Sequence, residues 1–464
     1  MQPFRMSALE LLGAYRRRAL SPVEAMASVI ERVEAFEPHI HATWLYAPER
    51  ALKEARASEA RWAKGEPIGP LDGVPVTVKD NIATRGDPKP VGTAAEDMTP
   101  QQADAPPAAR LREAGAVIFA KTTMPDYGML SSGLSSFHAL ARNPWKLDRN
   151  PGGSSAGAGA AAAALYGPLH LGTDIGGSVR LPAGWCGIFG LKPSAGRIPI
   201  DPPYIGRVAG PMTRDAADAA LMMATLSLPD ARDYSSLKHE SLDWAVKPAP
   251  LKGLKLGLLL EAGCGAAPTA EVKAAIERAA RDFEAAGAHV EPMKPFLTQD
   301  MLDGLDRFWR ARALNDIGQL AARRRALILP FVREWAESAA GFSGVEVFRG
   351  FDQIPEMRKA AVEATAKFDF VLSPTAPMTA FPAEWASPSR DPLNPFPHIG
   401  FTVAYNMSEQ PAASVNCGFD AEGLPIGLQI IGCRFDDLGV LALARTFEAM
   451  RAGEARPWPE PQAA

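Results

Sequence analysis

A serine follows two consecutive glycines in the stretch TDIGGSVR, residues 173–180. Glycine adopts backbone conformations that other residues avoid, so the amides of Ile175, Gly176, Gly177 and Ser178 can turn into one concavity. Converging N–H groups of this kind stabilise a negatively charged oxygen. The pattern therefore makes Ser178 a candidate nucleophile beside its own oxyanion hole. A tight turn at the end of a strand is the structural alternative.

A second serine candidate lies in NPGGSSAGAGA, residues 150–160. It contains a G-x-S-x-G pattern with Ser155 at the centre, which is typical of the nucleophile of an α/β-hydrolase esterase. That motif requires a strand before it and a histidine base after it. The preceding residues are typical of a loop, and the histidines at a suitable distance, His289 and His398, lie in no supporting motif. This alternative is therefore the weaker one.

Lys79 ends the apolar, β-branched run VPVTV, residues 74–78, which predicts a buried strand entered from a turn. A lysine at the end of a strand is usually exposed. A buried lysine is desolvated, which lowers its pKa and favours the neutral amine, and a neutral amine is a competent base. Lys79 is thus a candidate base for a serine that has no histidine nearby.

Four segments in order along the chain resemble the amidase signature family of amide hydrolases. They are GVPVTVKDN, ARNPWKLDRNPGGSSAGAGAA, LGTDIGGSVRLPAGWCGIFGLKPSAGRI and GPMTRDAADAA. The similarity extends to KTTMPDYG and to SVNCGFDAEGLPIGLQIIG, and only about residues 295–400 are not placed. The resemblance implies an amidase that forms a covalent acyl-serine intermediate, with no metal or cofactor.

The resemblance also implies a role for each catalytic residue. Lys79 matches the base, Ser154 the serine that passes the proton and follows a cis peptide bond, and Ser178 the nucleophile. Ser154 and Ser178 are 24 positions apart, as in the family. The proton of Ser178 would pass to Ser154 and then to Lys79, so no histidine is needed.

Further residues are assigned to the surroundings of the site. Asp174 and Arg180 bracket the serine loop with opposite charges and are expected to form an ion pair that braces it. By resemblance, these two residues and Ser155 support the catalytic groups without transferring protons. Gly128 and Met129 match the stretch that lines the acyl pocket, although ordinary core packing is an alternative for Met129.

The secondary-structure signals predict an α/β fold. Ser7–Glu10 and Ser21–Glu24 are capping boxes that predict two N-terminal helices. Strand and helix patterns then alternate along the chain. The expected strands are at 74–78, 116–120, 254–260, 288–292, 414–419 and 425–432, with a helix at 270–286 and a core helix of small residues at 154–165. The resemblance implies one large domain with a central twisted mixed β-sheet and helices on both faces.

Within that domain we expect N-terminal helices over about 1–65, the signature core over about 70–220 and an irregular, variable cover over the substrate at about 295–400. The chain has 464 residues, a net charge of −4 and no basic stripe, so nucleic acid is not an expected partner. Its four cysteines form no C-x-x-C pair, and no window is apolar enough for a membrane span. We therefore expect a cytoplasmic protein. The resemblance implies that its substrate is a small-molecule amide, and the sequence leaves open whether the protein forms a homodimer.

The leading functional prediction is an amidase that releases an acid and ammonia or an amine. One alternative has the same chemistry inside a complex, as in the glutaminase-type A subunit of a tRNA-dependent amidotransferase. Two others are an esterase that uses Ser155 and a non-catalytic binding protein on the same scaffold.

Overall fold

The first long helices begin at the serines that the sequence singles out. In the computed structural model, which describes residues 2–454 and 457–460, Ser7 and Ser21 each accept a hydrogen bond from the backbone three residues on. The glutamates at those positions bond back to the serine N–H groups, so both capping boxes are confirmed.

Eleven strands of the described residues form a single mixed sheet. They are β1 (Thr43–Tyr46), β2 (Pro75–Lys79), β3 (Val117–Thr122), β4 (Leu169–Asp174), β5 (Phe189–Lys192), β6 (Val208–Thr213), β7 (Lys255–Leu258), β8 (His289–Pro292), β9 (Phe370–Pro374), β10 (Ala412–Phe419) and β11 (Pro425–Gly432). Their order across the sheet is β1-β3-β2-β4-β6-β5-β10-β11-β9-β7-β8. All the strands expected from the sequence are confirmed, with ends displaced by a few residues.

Fifteen α-helices of the described residues flank this sheet. They are α1 (Ala8–Arg16), α2 (Pro22–Ile40), α3 (Pro48–Lys64), α4 (Pro106–Glu113), α5 (Ala156–Ala163), α6 (Arg180–Cys186), α7 (Ala216–Leu226), α8 (Ala270–Ala285), α9 (Gln299–Gly318), α10 (Ala322–Arg325), α11 (Pro330–Glu337), α12 (Gly344–Phe351), α13 (Gln353–Thr365), α14 (Val403–Met407) and α15 (Asp437–Met450). Short 3₁₀ helices lie at Pro3–Arg5, Asp126–Gly128, Ser338–Gly341, Pro397–Ile399 and Ala452–Glu454. The α/β fold with a helix-flanked mixed sheet is therefore confirmed. Among the described residues, no helix combines the length and apolarity needed to cross a bilayer.

The site is positioned by adjacent parallel strands of the sheet. β2 pairs in parallel with β3 on one side and with β4 on the other, where Val78 lies opposite Leu171. The carboxyl ends of parallel strands meet at one edge of a sheet, where α/β proteins commonly bind their ligands. Lys79 at the end of β2 and Asp174 at the end of β4 therefore reach the same edge.

The helix of small residues, α5, begins directly after the second serine of the GGSS run. All eight of its residues are buried, as expected for a core helix. A side chain at Gly157 would clash with backbone atoms of Ala42 and Thr123. The small residues therefore allow α5 to pack directly against neighbouring backbone, which fixes the serines at its amino end.

The stretch at 295–400 is not irregular, contrary to the expectation from its sequence. It contains α9 to α13 and the buried strand β9. Arginines and prolines interrupt its apolar periodicity, which obscures the helices. Leu305 and Trp335 of these helices share a hydrophobic core with Leu130 and Leu181, which lie close to the candidate site. These helices therefore pack next to the serine loop and the start of α6.

Candidate active site

Lys79 is fully buried, and its amine is held by three hydroxyl groups. Nζ lies 2.8 Å from Oγ of Ser154, 3.0 Å from Oγ of Ser155 and 3.0 Å from Oγ1 of Thr173. None of these partners is a carboxylate. The amine is therefore solvated by neutral groups that do not require it to be charged.

The surroundings of Lys79 favour the neutral amine. Burial is the largest cause and lowers the pKa of Lys79 well below 10.5, and the positive charge of Arg207 lowers it further. The negative charges of Asp174 and Asp80 act in the opposite direction but do not outweigh these effects. A buried lysine of this kind has a lone pair available to accept a proton.

The hydrogen bonds around Lys79 indicate where that lone pair points. Oγ of Ser155 donates to the carbonyl oxygen of Thr173 at 3.2 Å, so it accepts from the lysine. Oγ1 of Thr173 accepts from Nδ2 of Asn81 at 3.1 Å and from the lysine. A neutral amine has only two N–H groups, and these two hydroxyls use them. For a neutral amine, the 2.8 Å contact with the Ser154 hydroxyl would then be made by the lone pair.

Ser155 is not placed as the nucleophile of an α/β-hydrolase. Its side chain is fully buried, its hydroxyl is engaged with Lys79 and Thr173, and the residues before it form a loop instead of a strand. The esterase alternative built on Ser155 is therefore wrong, because the hydroxyl faces the lysine and has no free path to a substrate.

The two remaining serines line one cavity. The peptide bond between Gly153 and Ser154 is cis, as the resemblance implied. Ser154 and Ser178 both line the cavity, and their exposed fractions are 4% and 9%. Among the described residues, the Ser178 hydroxyl has no hydrogen-bond partner, so it is free to meet a substrate.

One of the four predicted oxyanion-hole amides is engaged elsewhere. The N–H of Gly177 donates to Oδ1 of Asp174 at 2.8 Å, which corrects the expectation that all four amides point into one concavity. The N–H bonds to the Asp174 carboxylate because a buried carboxylate requires hydrogen-bond donors. Ile175 and Ser178 line this cavity and Gly176 lines a neighbouring one, and the amides of these three residues remain the predicted donors.

Asp174 and Arg180 form the ion pair that the sequence predicted. Both side chains are fully buried, and Nη2 of Arg180 lies 2.9 Å from Oδ1 of Asp174. Burial raises the pKa of Asp174, but the charge and hydrogen bonds of Arg180 outweigh it and hold the pKa well below its usual range. Arg180 also donates to the carbonyl oxygen of Thr402 and to side-chain oxygens of Asn406 and Gln429. The pair thereby ties the serine loop to the last third of the chain.

Ser178 lies between two cavities of different character. The first, here called the apolar pocket, has about 50 Å³ of free space. Apart from the serine loop, it is lined mainly by apolar groups: Met129, Leu130, Trp309, Phe396 and Ile399. Arg312 is the charged residue of its wall and is shared with the second cavity. The second, here called the cationic chamber, has about 250 Å³ of free space and includes Lys89, Arg207 and Arg312 in its wall.

The predicted pocket residues, Gly128 and Met129, line both cavities. Gly128 has a φ of +70°, and a side chain there would begin 3.2 Å from Oγ of Ser154. The position thus favours glycine for its backbone conformation and for its closeness to the serine.

Sequence reasoning missed several residues at the site. Thr173 and Asn81 were detectable, since each lies one or two positions from a motif residue. Trp309 and Arg312, on α9, are brought in by tertiary packing and have no local signal. For metals, the described part of the chain has no cluster of three or more histidine, cysteine, aspartate or glutamate residues that would hold an ion.

Comparison with known proteins decides the family. The sequence profile of the amidase family matches residues 24–441. The chain belongs to the amidase signature family. As a member of it, the protein is a hydrolase that acts on carbon–nitrogen amide bonds, and its fold is the amidase signature fold.

Several amidase-family proteins are similar to this chain along nearly its whole length. The A subunit of glutamyl-tRNA(Gln) amidotransferase from Moorella thermoacetica is 35% identical, over 97% of this chain and 97% of that protein. The protein of the same name from Heliobacterium modesticaldum is 31% identical, also over 97% of both chains. The crystal structure of a bacterial aryl acylamidase of the family superposes with a TM-score of 0.88 at 30% identity, covering 96% of each chain.

Proposed function

We propose that this amidase cleaves its substrate through an acyl-enzyme on Ser178, with Ser154 and Lys79 carrying the proton. The observation that best supports this is the placement of a fully buried lysine amine 2.8 Å from Ser154, in a cavity that Ser178 also lines. A serine next to a desolvated amine can be activated without histidine.

In the proposed reaction, Ser154 transfers its proton to the lone pair of Lys79 and takes the proton of Ser178. The Ser178 oxygen forms a bond to the carbonyl carbon, and the negative charge moves to the carbonyl oxygen. The amides of Ile175, Gly176 and Ser178 donate to that oxygen. The proton then returns through Ser154 to the nitrogen, the carbon–nitrogen bond breaks, and ammonia or an amine leaves.

The acyl-enzyme is then hydrolysed by the same groups. A water molecule takes the place of the departed amine and attacks the ester carbon. Ser154 takes a proton from this water and passes its own proton to Lys79. The bond to Ser178 breaks, and the proton returns to the Ser178 oxygen. The acid is released and Lys79 is neutral again, so each cycle consumes one amide and one water.

The relatives favour a glutaminase that works as a subunit of a complex over an amidase that works alone. The two relatives that are 35% and 31% identical over 97% of the chain are each the A subunit of an amidotransferase. We propose that the protein releases ammonia from glutamine and that further subunits of such a complex are its protein partners.

An amidase that works alone on apolar amides is the second candidate. The specific observation in its favour is the apolar pocket beside Ser178, whose described lining residues include no carboxylate to bind the ammonium group of glutamine. The similar aryl acylamidase structure supports the same candidate.

Ammonia release from L-glutamine and aniline release from acetanilide separate the two. Both release rates are measured for the isolated protein and again after the other amidotransferase subunits and tRNA are added. Ser178→Ala is the control. Glutamine hydrolysis that depends on the other subunits supports the glutaminase, and acetanilide hydrolysis by the isolated protein supports the second candidate. If neither amide is cleaved and a fluorophosphonate probe leaves Ser178 unlabelled, the proposed chemistry is refuted.

A further inference from the structure

The cationic chamber has more positive charge than its own carboxylates neutralise. Its wall includes Lys89, Arg207 and Arg312, and its carboxylates are Asp174 and Asp316. Asp174 is already paired with Arg180 in the interior. Asp316 lies 3.7 Å from Nε of Arg312 and is 46% exposed, so it offsets only one cation, and weakly.

Arg207 is the most conspicuous of these groups. It is half-buried, and within the described residues its guanidinium makes no ion pair. The one hydrogen bond of that group there is a 3.3 Å contact from Nη1 to the carbonyl oxygen of Pro202. Burial lowers the pKa of Arg207 to about 10 and the positive charge of Arg312 adds to the effect, whereas the negative charge of Asp201 acts in the opposite direction without outweighing them. A guanidinium held in this way would be stabilised by an anion, and its planar fork suits a carboxylate.

Arg312 is held in place from the other side. Its guanidinium carbon lies 3.8 Å from the ring centroid of Tyr204, which is stacking distance. Tyr204 and Arg207 belong to the same segment before β6, whereas Arg312 is on α9. Two separate parts of the chain therefore present cations to one space, next to Ser178.

The difference in size between the cavities indicates which part of a substrate each can hold. The apolar pocket, at about 50 Å³, has room for only a small group. The cationic chamber, at about 250 Å³, is about five times larger and contains most of the charge. The bulk of a substrate bound at Ser178 is thus expected to lie among the cations.

From this arrangement we propose that the cationic chamber is a carboxylate-binding subsite, and that the amide cleaved at Ser178 has a carboxylate on the part that lies between Arg207 and Arg312. This inference rests on the proposed amide hydrolysis at Ser178 and narrows its substrate class. It agrees with glutamine as the substrate, and it narrows the second candidate to amides that combine an apolar part with a carboxylate.

Two matched substrate pairs test the inference. Glutaramate and hexanamide are primary amides of similar length that differ by a carboxylate in the acyl part. 4-Acetamidobenzoate and 4-acetamidotoluene differ by a carboxylate in the leaving amine. For at least one pair, we expect the wild type to have a kcat/KM at least about tenfold higher for the anionic member, mainly through KM, as for a lost charge-assisted hydrogen bond.

The variant Arg207→Gln removes the charge and keeps a polar side chain of similar length. We expect the preference for the anionic member to fall about tenfold, and Arg207→Lys to retain part of it. Arg323→Gln is the matched control, because Arg323 is exposed on α10 and lines neither cavity. It should keep the wild-type preference.

A second readout does not depend on turnover. This assay measures how well each amide protects Ser178 from labelling by a fluorophosphonate probe. In the wild type, the anionic amide of a pair should give the same protection as the neutral amide at about tenfold lower concentration. The inference is overturned if neither pair shows a preference in either assay, or if Arg207→Gln leaves the preference unchanged. Failure of Ser178 to react with the probe would instead refute the proposed function itself.

Discussion

The charge state of Lys79 can be read from the pH dependence of folding stability. In Lys79→Met, an uncharged side chain of similar length replaces the buried amine. Burial lowers the pKa of Lys79 in the folded chain well below 10.5, the value expected in the unfolded chain. Between those two pKa values, the unfolded chain therefore binds one more proton than the folded chain.

This proton difference fixes both the sign and the size of the effect. Stability rises with pH wherever the unfolded state binds more protons, and one proton corresponds to about 1.4 kcal/mol per pH unit. The free energy of unfolding of the wild type, relative to Lys79→Met, should thus increase by up to about 1.4 kcal/mol for each pH unit between the folded-state pKa and about 10.5. Packing changes caused by the substitution shift this difference by a constant and leave its slope intact.

Urea unfolding of both proteins at a series of pH values, followed by tryptophan fluorescence, measures the slope. Lys367→Met is the matched control, because it removes the same charge from a side chain that is 65% exposed. It should give a difference from the wild type that changes little with pH. A flat difference for Lys79→Met as well would mean that Lys79 is protonated in the folded protein, and the proposed base would be lost.

Three further predictions concern individual residues around the site. Ser178→Ala should lower kcat by about three orders of magnitude or more and abolish labelling by the fluorophosphonate probe. Ser155→Ala should lower kcat less and still be labelled. The reverse pattern would refute the assignment of Ser178 as the nucleophile. Gly128→Ala should lower kcat while the protein still folds, because φ is +70° there and the new methyl group would lie 3.2 Å from Oγ of Ser154. A normal kcat together with an unchanged circular dichroism spectrum would contradict this prediction. Arg180→Met leaves the buried Asp174 without its cation and should lower the free energy of unfolding by about 3–5 kcal/mol in urea titrations. An unchanged midpoint would show that the pair contributes little.

The local features of the site were predictable from the sequence, because each is encoded in a short stretch. The capping boxes at Ser7 and Ser21, the strand that ends at Lys79 and the helix of small residues after Ser155 needed only neighbouring residues to be recognised. The cis bond before Ser154 followed from the resemblance alone.

The walls of the cavities were not predictable in the same way. Trp309, Arg312 and Phe396 come close to Ser178 only because α9 and the segment after β9 pack next to the serine loop. The amide of Gly177 was misassigned because its partner, Asp174, could not be located before the turn geometry was known. In the region at 295–400, the pattern Ser343-x-x-Glu346 is a capping box and would have revealed α12.

The contacts of Arg180 have a consequence for biosynthesis. This arginine follows the nucleophile loop by two residues, yet its partners Thr402, Asn406 and Gln429 are more than 220 positions further along the chain. A ribosome must therefore complete nearly the whole polypeptide before the loop is held in place. Translation products that stop before about residue 400 are expected to have every proposed catalytic residue and no hydrolytic activity, so a partly made enzyme would not attack amides while it is still being synthesised.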